Sequence, residues 1–216
     1  FNANGRFMAQ IKTKGQGRIF QNAVLEALTK THPALIIGLY VPLSGLSLWY
    51  FYHYHHSSFF LALALFVAGV LFWTLVEYLL HRYVFHFISE SQAVQRFHYT
   101  VHGVHHEYPL DTERLIMPPV PSLILVSTFY GLYYAMMGSY VYAFLPGFVI
   151  GYLAYASIHY AIHAYKPPRA LSYLWRHHNL HHFQYPDRAF GVSSPFWDMV
   201  FGTMPPGESE SITRKG

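Results

Sequence analysis

Residues 175–183 read W-R-H-H-N-L-H-H-F, and four of these nine side chains are imidazoles. If the stretch is helical, His178, His181 and His182 fall at positions i, i+3 and i+4, on one face of the helix. Neutral imidazoles that converge in this way suit zinc, iron, copper or nickel. A solvated helix face would explain one such stretch equally well, but the same H-x-x-H-H spacing occurs at 102–106. The repetition favours a metal site.

The composition is that of a membrane protein. Only 11% of the 216 residues are charged, against roughly 25% in typical soluble domains. Hydrophobic residues make up 53% of the chain and aromatic residues 19%. There is no cysteine, which excludes disulfides, cysteine-bound zinc, iron–sulfur clusters and thiol-attached haem. Any metal must therefore be held by nitrogen and oxygen ligands.

Four apolar runs predict four transmembrane helices. They cover residues 33–52, 58–80, 120–137 and 140–158. Each run is close to the roughly twenty residues that a helix needs to cross a bilayer. The first two runs are joined by a short segment, and so are the last two, which predicts two helical hairpins.

The charges predict which way these hairpins face. All fourteen Lys and Arg residues lie before the first run, between the second and third, or after the fourth. Excess Lys and Arg marks the cytoplasmic side of a membrane protein. We therefore predict an all-α integral membrane protein with four transmembrane helices in two hairpins and a cytoplasmic helical cap that holds a histidine-rich di-metal site. The basic residues form no compact patch with interleaved aromatics, so nucleic acid is not an expected partner.

The domain organisation follows from the same pattern. Residues 1–18 are basic and rich in Gly and Gln, which predicts an N-terminal arm. Residues 19–31 place apolar side chains on one helical stripe, typical either of a helix on the bilayer surface or of a core-packing amphipathic helix. The membrane domain is predicted to span 19–205, with a flexible tail at 206–216.

The remaining histidines complete two similar sets, each with a pair and an H-x-x-H-H box. Ten imidazoles are too many for one ion, so we predict two metals with about five ligands each and open positions for water, oxygen or substrate. The spacing of five in the first pair is not one α-helical face; either the helix ends there or the two residues serve different metals. The ten predicted ligands are His81, His86, His102, His105, His106, His159, His163, His178, His181 and His182.

Five further residues are candidates for supporting roles. His98 and His177 are predicted to lie beside the ligands. Glu77, one turn before the first pair, either orients a ligand histidine or is a helix-end charge. Asp198 is a candidate for similar support of a ligand. Arg114, between the first box and the third apolar run, is a candidate for binding an anionic lipid headgroup.

Several longer strings around the histidines resemble the fatty acid hydroxylase superfamily, and within it the fatty acid 2-hydroxylases that act on sphingolipid acyl chains. The resemblance covers roughly residues 12–205. The strings are H-R-Y-V-F-H at 81–86, F-H-Y-T-V-H-G-V-H-H at 97–106, P-L-D-T-E-R-L-I-M-P-P at 109–119, H-Y-A-I-H at 159–163, H-H-N-L-H-H-F at 177–183 and F-G-V-S-S-P-F-W-D at 190–198.

This resemblance implies an activity and its cofactors. The ten histidines would hold two metal ions, with iron expected for activity and zinc able to occupy the same ligands in purified protein. With O2, the enzyme would hydroxylate carbon 2 of a lipid acyl chain, such as that of a ceramide. The sequence carries no fused cytochrome domain like that of eukaryotic members, so a separate electron-transfer protein is an expected partner, beside membrane lipids. The implied location is a bacterial inner membrane, or the endoplasmic reticulum if the source is eukaryotic.

Two alternatives remain at the level of sequence. A related sterol- or carotenoid-modifying hydroxylase or desaturase shares the histidine boxes, although the string at 109–119 favours an acyl hydroxylase. A membrane metal transporter or metal-binding protein should instead place ionisable ligands along a path within its spans. An acyl slot would be lined by some of the tyrosines of the last two apolar runs. The candidates are Tyr130, Tyr133, Tyr134, Tyr152 and Tyr155.

Overall fold

The computed structural model describes residues 11–55, 58–87 and 89–207, and these residues form helices joined by turns and short loops. Most of the predicted arm and the predicted tail, residues 1–10 and 208–216, lie outside the described residues. The helices are α1 (Ala23–Ala27), α2 (Pro33–Tyr54), α3 (Phe59–Leu79), α4 (Gln92–His98), α5 (Val104–Glu107), α6 (Pro119–Met137), α7 (Val141–Ala164), α8 (Ser172–Phe183) and α9 (Phe196–Val200).

Three helical stretches of the described chain are long and apolar enough to cross a membrane. They are Pro33–Tyr54, Phe59–Phe85 and Thr112–Ala164. The third stretch contains both α6 and α7, which are separated by a single 3-10 turn at Gly138–Tyr140. Length and apolar character therefore support a membrane protein, while the count of four spans stays a prediction.

Helix α7 lies at the centre of the long helices and carries most of their buried side chains. Its closest neighbour is α3, because glycines occur on both sides of the contact. A Cβ atom on Gly147 would lie 1.9 Å from the carbonyl oxygen of Phe66, and one on Gly69 would lie 2.2 Å from that of Phe144. Small residues let helix backbones approach in this way inside membranes. This contact fixes α3 and α7, which both lead into histidine segments.

Helix α7 tolerates a proline because a neighbouring helix supplies the missing donor. Pro146 has no N–H, so the carbonyl of Tyr142 loses its intrahelical partner. The hydroxyl of Ser47 on α2 donates to that carbonyl at 2.8 Å. The helix is therefore continuous from Val141 to Ala164.

The predicted helix at 19–31 is shorter than expected, since only Ala23–Ala27 is helical. The carboxylate of Glu26 accepts from the backbone N–H groups of Ile19 and Phe20, which holds these residues outside the helix. Val24 and Leu28 are 69% and 63% exposed. Such exposure favours a position at the bilayer surface over packing in the protein core.

We expect Gly147→Ala to destabilise the protein, because the new methyl group must push α7 away from the backbone of α3. Overpacking of this kind costs about 1–3 kcal/mol. Gly131→Ala is the matched control, since its Cβ would meet nothing within 4 Å and alanine favours helix by about 1 kcal/mol. Thermal unfolding of both variants in detergent checks the prediction. Equal stability of the two would contradict the tight α3–α7 contact.

Candidate metal centre

The structure brings the ten predicted ligands together in two separate groups. Within each group, one nitrogen from every histidine lies within 4.8 Å of all the others. Group one contains His81, His86, His102, His106 and His181. Group two contains His105, His159, His163, His178 and His182. Five imidazoles per group is the number that the sequence predicts for two metals.

A π-helical turn explains how His81 and His86 enter the same group. Helix α3 continues from Leu80 to Phe85 with π-helical hydrogen bonding, and His86 follows directly. A π-helix bonds residue i to residue i+5, so a spacing of five returns to the same face. The sequence left two alternatives for this pair, a helix end or two different metals. The α-helix ends at Leu79, before the pair, and both histidines belong to group one, so they are not divided between the groups.

The two H-x-x-H-H boxes each divide between the groups. In the first box the outer histidines, His102 and His106, belong to group one, and His105 belongs to group two. The second box does the reverse: its outer histidines, His178 and His182, belong to group two, and His181 belongs to group one. Residues i and i+4 share a face while i+3 points to one side of it, so each box contributes to both groups.

The distances within each group fit ligands of one metal ion. In group one, Nε2 of His102 lies 3.1 Å from Nε2 of His81 and 2.9 Å from Nε2 of His106. In group two, Nε2 of His178 lies 2.9 Å from Nε2 of His163 and 3.0 Å from Nε2 of His182. A single N–H cannot donate to two neighbours in this way. Nitrogens about 2.1 Å from one ion lie about 3.0 Å apart at right angles and about 3.4 Å apart in a tetrahedron, so the spacing suits a metal with more than four positions.

Burial keeps these imidazoles neutral. It lowers the pKa of His102, His106, His178 and His182 well below the usual value, and the neighbouring histidines lower it further. The same burial, with neighbouring histidines, depresses the pKa of His105. Neutral imidazoles present lone pairs, which is the form in which histidine binds metals. The donor set therefore fits two metal ions.

Backbone carbonyls orient two of the ligands in group one. Nδ1 of His81 lies 2.5 Å from the carbonyl oxygen of Phe190, and Nδ1 of His181 lies 2.7 Å from that of Arg188. Nδ1 is the donor in both contacts, so Nε2 of each ring carries the lone pair that points into the group. Outer contacts of this kind fix the tautomer of metal-binding histidines.

The loop that supplies these carbonyls is held by Asp198. Its carboxylate accepts from the backbone N–H groups of Phe190 and Gly191, at 2.9 and 2.8 Å. It also contacts Nε2 of His177 at 3.1 Å. Although burial alone would raise its pKa, these bonds hold the pKa of Asp198 below the usual value. Ala189, between the two carbonyls, has a φ of 57°, a strained conformation for a residue with a side chain.

Glu77 plays a different part from either role expected of it. Its buried carboxylate accepts from the backbone N–H groups of Val192 and Ser193, at 2.8 and 2.9 Å, and from the Ser193 hydroxyl at 2.5 Å. It therefore anchors the loop after Phe190 to α3, and His81 is oriented by a carbonyl instead. The sequence offers no signal for this, because the donors are mostly backbone groups.

His98 lies outside both groups, beside the rings of Phe87 and Phe97. Burial lowers its pKa. His177, by contrast, is buried and contacts Asp198, which holds the carbonyl loop. Of the two predicted neighbours of the ligands, only His177 is linked to them through hydrogen bonds in the described part of the chain.

Arg114 is bound to carboxylates within the protein. Its guanidinium contacts Asp111 at 2.6 Å and also pairs with Glu26 of α1. The side chain is only 3% exposed. These pairs tie α1 to the segment before α6. Arg114 also lines the cavity described below, and its contact with a lipid headgroup stays a prediction.

A cavity of about 650 Å³ connects the two histidine groups with the long helices. His102 of group one and His105 and His159 of group two form part of its wall. Near α1 the cavity is lined by Leu25 and Leu28, and the rest of its wall is largely apolar. Of the five tyrosines expected at an acyl slot, two line this cavity and three do not. The two that line it are Tyr152 and Tyr155, and the three that do not are Tyr130, Tyr133 and Tyr134.

Comparison with known proteins identifies relatives of this arrangement. A family model described as fatty acid hydroxylase matches residues 66–203. A ceramide very long chain fatty acid hydroxylase of Saccharomyces cerevisiae is 38% identical over 198 residues, covering 88% of this chain and 50% of its own length. A fatty acid 2-hydroxylase of Rattus norvegicus is 40% identical over 154 residues, covering 68% of this chain and 41% of its own length. The chain thus spans about half the length of these curated relatives.

A plant protein and a solved structure extend the comparison. A dihydroceramide fatty acyl 2-hydroxylase of Arabidopsis thaliana is 40% identical over 141 residues, covering 64% of this chain and 60% of its own length. The structure of full-length Scs7p, in which only the hydroxylase domain is visible, has 36% sequence identity and a TM-score of 0.84. The superposed part covers 90% of this chain and 74% of the Scs7p chain.

We expect the purified protein to bind about two metal ions per chain, and His106→Ala to reduce this to about one, because the variant breaks only group one. His53→Ala is the control, since its imidazole lies in the last turn of α2 and outside both groups. Elemental analysis by mass spectrometry, on samples prepared without oxygen, measures the ratio. A ratio in the His106→Ala variant equal to that of the control would contradict the two-group arrangement.

Asp198→Ala should weaken metal retention although Asp198 belongs to neither group. Loss of an outer contact typically lowers metal affinity 10- to 100-fold, and each buried backbone N–H group left without its acceptor, such as those of Phe190 and Gly191, costs about 1–3 kcal/mol. Glu90→Ala removes an exposed carboxylate and is the matched control. Metal titration with a competing chelator, together with thermal unfolding, would test the effect. Retention equal to that of the control would show that the loop needs no carboxylate.

Proposed function

The chain belongs to the fatty acid hydroxylase family, and from this premise we propose that it is a membrane di-metal oxygenase that hydroxylates carbon 2 of lipid acyl chains. Its substrates in this proposal are lipids such as ceramides. The relatives reported above are named as hydroxylases of fatty acids or of ceramide and dihydroceramide acyl chains. These names support an acyl substrate over a sterol or a carotenoid.

One observation carries the proposal. The cavity wall contains histidines of both groups, and the same cavity continues between the long helices, where its lining is apolar. An acyl chain lying in this space would pass directly beside the histidines. A cavity open only to water would not need such a lining, and ligand sites are typically apolar with a few polar groups.

The ten histidines of the two groups would hold two metal ions, and iron is the metal expected for activity. When bound, the metal pair supplies the activation of O2 that hydroxylation of an unactivated C–H bond requires. Electrons come from an electron-transfer partner in this proposal. Zinc would fit the same nitrogen ligands without this redox chemistry.

The protein itself positions the substrate and excludes water. Apolar side chains along the cavity favour the methylene chain, with about 0.8 kcal/mol for each buried CH2 group. Leu25 of α1 and Leu28, just after this helix, line the cavity together with Arg114, and the Arg114–Glu26 pair ties the helix to the protein. The acyl carbonyl would then lie on the α1 side and the tail between the long helices.

The proposed membrane arrangement has four spans, formed by α2, α3, α6 and α7, in two hairpins. The histidine segments then form a cap on the cytoplasmic side, and the active site faces the cytoplasm. The absence of Lys and Arg from the two short connections supports this orientation. Exposed apolar side chains on the long helices, such as Leu46, Phe60 and Leu71, would face lipid. Residues 19–205 form the membrane domain in this proposal, with the basic arm before it and the tail after it.

Expression with an electron donor should add one oxygen to lipid acyl chains at carbon 2. The expected product is detected by mass spectrometry of total lipids, with fragmentation to locate the hydroxyl group. His181→Ala and His105→Ala should each abolish the product, because one breaks group one and the other breaks group two.

His53→Ala is the control and should leave the product unchanged. Unaltered lipids, with reduced donor and metal-loaded protein present, would overturn the hydroxylase assignment. Metal flux into proteoliposomes under those conditions would point to a transporter instead.

A further inference from the structure

Among the residues that line the cavity, those farthest from the histidine segments along α3, α6 and α7 are aromatic. Trp73 of α3 contacts Phe148 of α7, with ring centroids 5.1 Å apart, and Phe148 contacts Phe129 of α6 at 5.0 Å. All three rings line the cavity. They form one continuous layer across three helices, which we call the aromatic floor.

Further side chains pack against the floor on the side that faces away from the cavity. Tyr133 stacks against Phe129 with centroids 5.6 Å apart and contacts Phe148 at 5.4 Å, yet it does not line the cavity. On the same side of the floor, the α3 and α7 backbones touch at Gly69 and Gly147. The floor therefore cannot open by a small movement of α3 against α7.

The depth of the space above the floor is close to the length of one leaflet of a bilayer. Phe148 lies eleven residues before His159 on α7, which is about 16 Å along the helix axis. Half of a bilayer hydrocarbon core is about 15 Å. The space between His159 and the floor is thus about as deep as the hydrocarbon part of one leaflet.

The side chains between His159 and the aromatic floor are suited to a methylene chain. On α7, the cavity is lined by Ala156, Tyr152 and Val149, and on α6 by Leu125 one turn above Phe129. A longer chain that stays within this space would have to displace the aromatic floor or leave carbon 2 away from the histidines.

We propose that the aromatic floor sets the longest acyl chain that the enzyme hydroxylates, and that Phe129 is the residue that determines this limit. The inference rests on the proposed function. Phe129 is the adjustable member of the floor because it is only partly buried, whereas Phe148 and Trp73 are 2% and 6% exposed and hold the core together. Shortening Phe129 would extend the cavity towards Tyr133.

The test uses metal-loaded protein with an electron donor and an even-numbered series of saturated N-acyl sphinganines, from medium to very long chain, in competition. For wild type we expect product to fall steeply beyond one length, about fourfold for each methylene group that the floor excludes. Phe129→Ala should move this limit to longer chains. Leu125→Phe, one turn nearer the histidines, should move it to shorter chains.

Tyr134→Ala is the matched control, because this tyrosine lies on the same helix, is 50% exposed and does not line the cavity. Phe129→Leu is a second, milder variant should the alanine variant fail to fold. Unchanged length profiles in the Phe129 and Leu125 variants, with metal content like that of wild type, would overturn the proposal.

A binding measurement separates this proposal from the proposed function. Thermal stabilisation of the same proteins by the same lipid series needs no turnover. If wild type forms no 2-hydroxy product but is stabilised up to one chain length that shifts in Phe129→Ala, the floor is supported and the activity is not. If product forms and neither limit moves, the activity stands and the role of the floor is wrong.

Discussion

Ten neutral imidazoles point their nitrogens at each other in two buried clusters, and the rest of the structure serves to hold them there. Lone pairs at about 3 Å repel, and protonation is opposed by burial and by the neighbouring rings, so the clusters call for positive charge from bound metal. Before metal binds, the packing of the protein must therefore hold the imidazoles together against the repulsion between their nitrogens. The close backbone contact at Gly69 and Gly147 meets part of this need, because it fixes the two helices, α3 and α7, that lead into four of the ligands.

The exchange of one histidine between the boxes makes the two groups interdependent. Each box places its outer histidines in one group and its middle histidine, His105 or His181, in the other. A shift of either box would therefore disturb both groups at once. We expect metal binding and the packing of these segments to be coupled for this reason, as is usual where ligands come from distant parts of a chain.

The outer contacts are distributed unequally between the groups. In group one, His81 and His181 donate to carbonyls of a loop held by Asp198. In group two, Nδ1 of His105, His178 and His182 has no hydrogen-bond partner among the described residues. Backbone groups of Leu115 and Pro109 interact with His159 and His163. His105 and His159 are also the two group-two ligands that line the cavity. Group two thus contributes more histidines than group one to the wall along which we propose that the acyl chain lies.

The sequence by itself determined the ten histidines, the apolar helices and the family, and of these the family is what the comparisons confirmed. Residue type and spacing carry that information, because ligand chemistry and helix periodicity are local properties. Only the tertiary structure decided that His81 and His86 share a group through a π-turn, that each box serves both groups, and that Phe190 and Arg188 orient ligands through their carbonyls. It also decided that Arg114 pairs with Glu26, 88 residues away. Spacing gives the direction of a side chain around its own helix. Packing between distant segments decides where the helices meet and which carbonyl lies beside which imidazole ring.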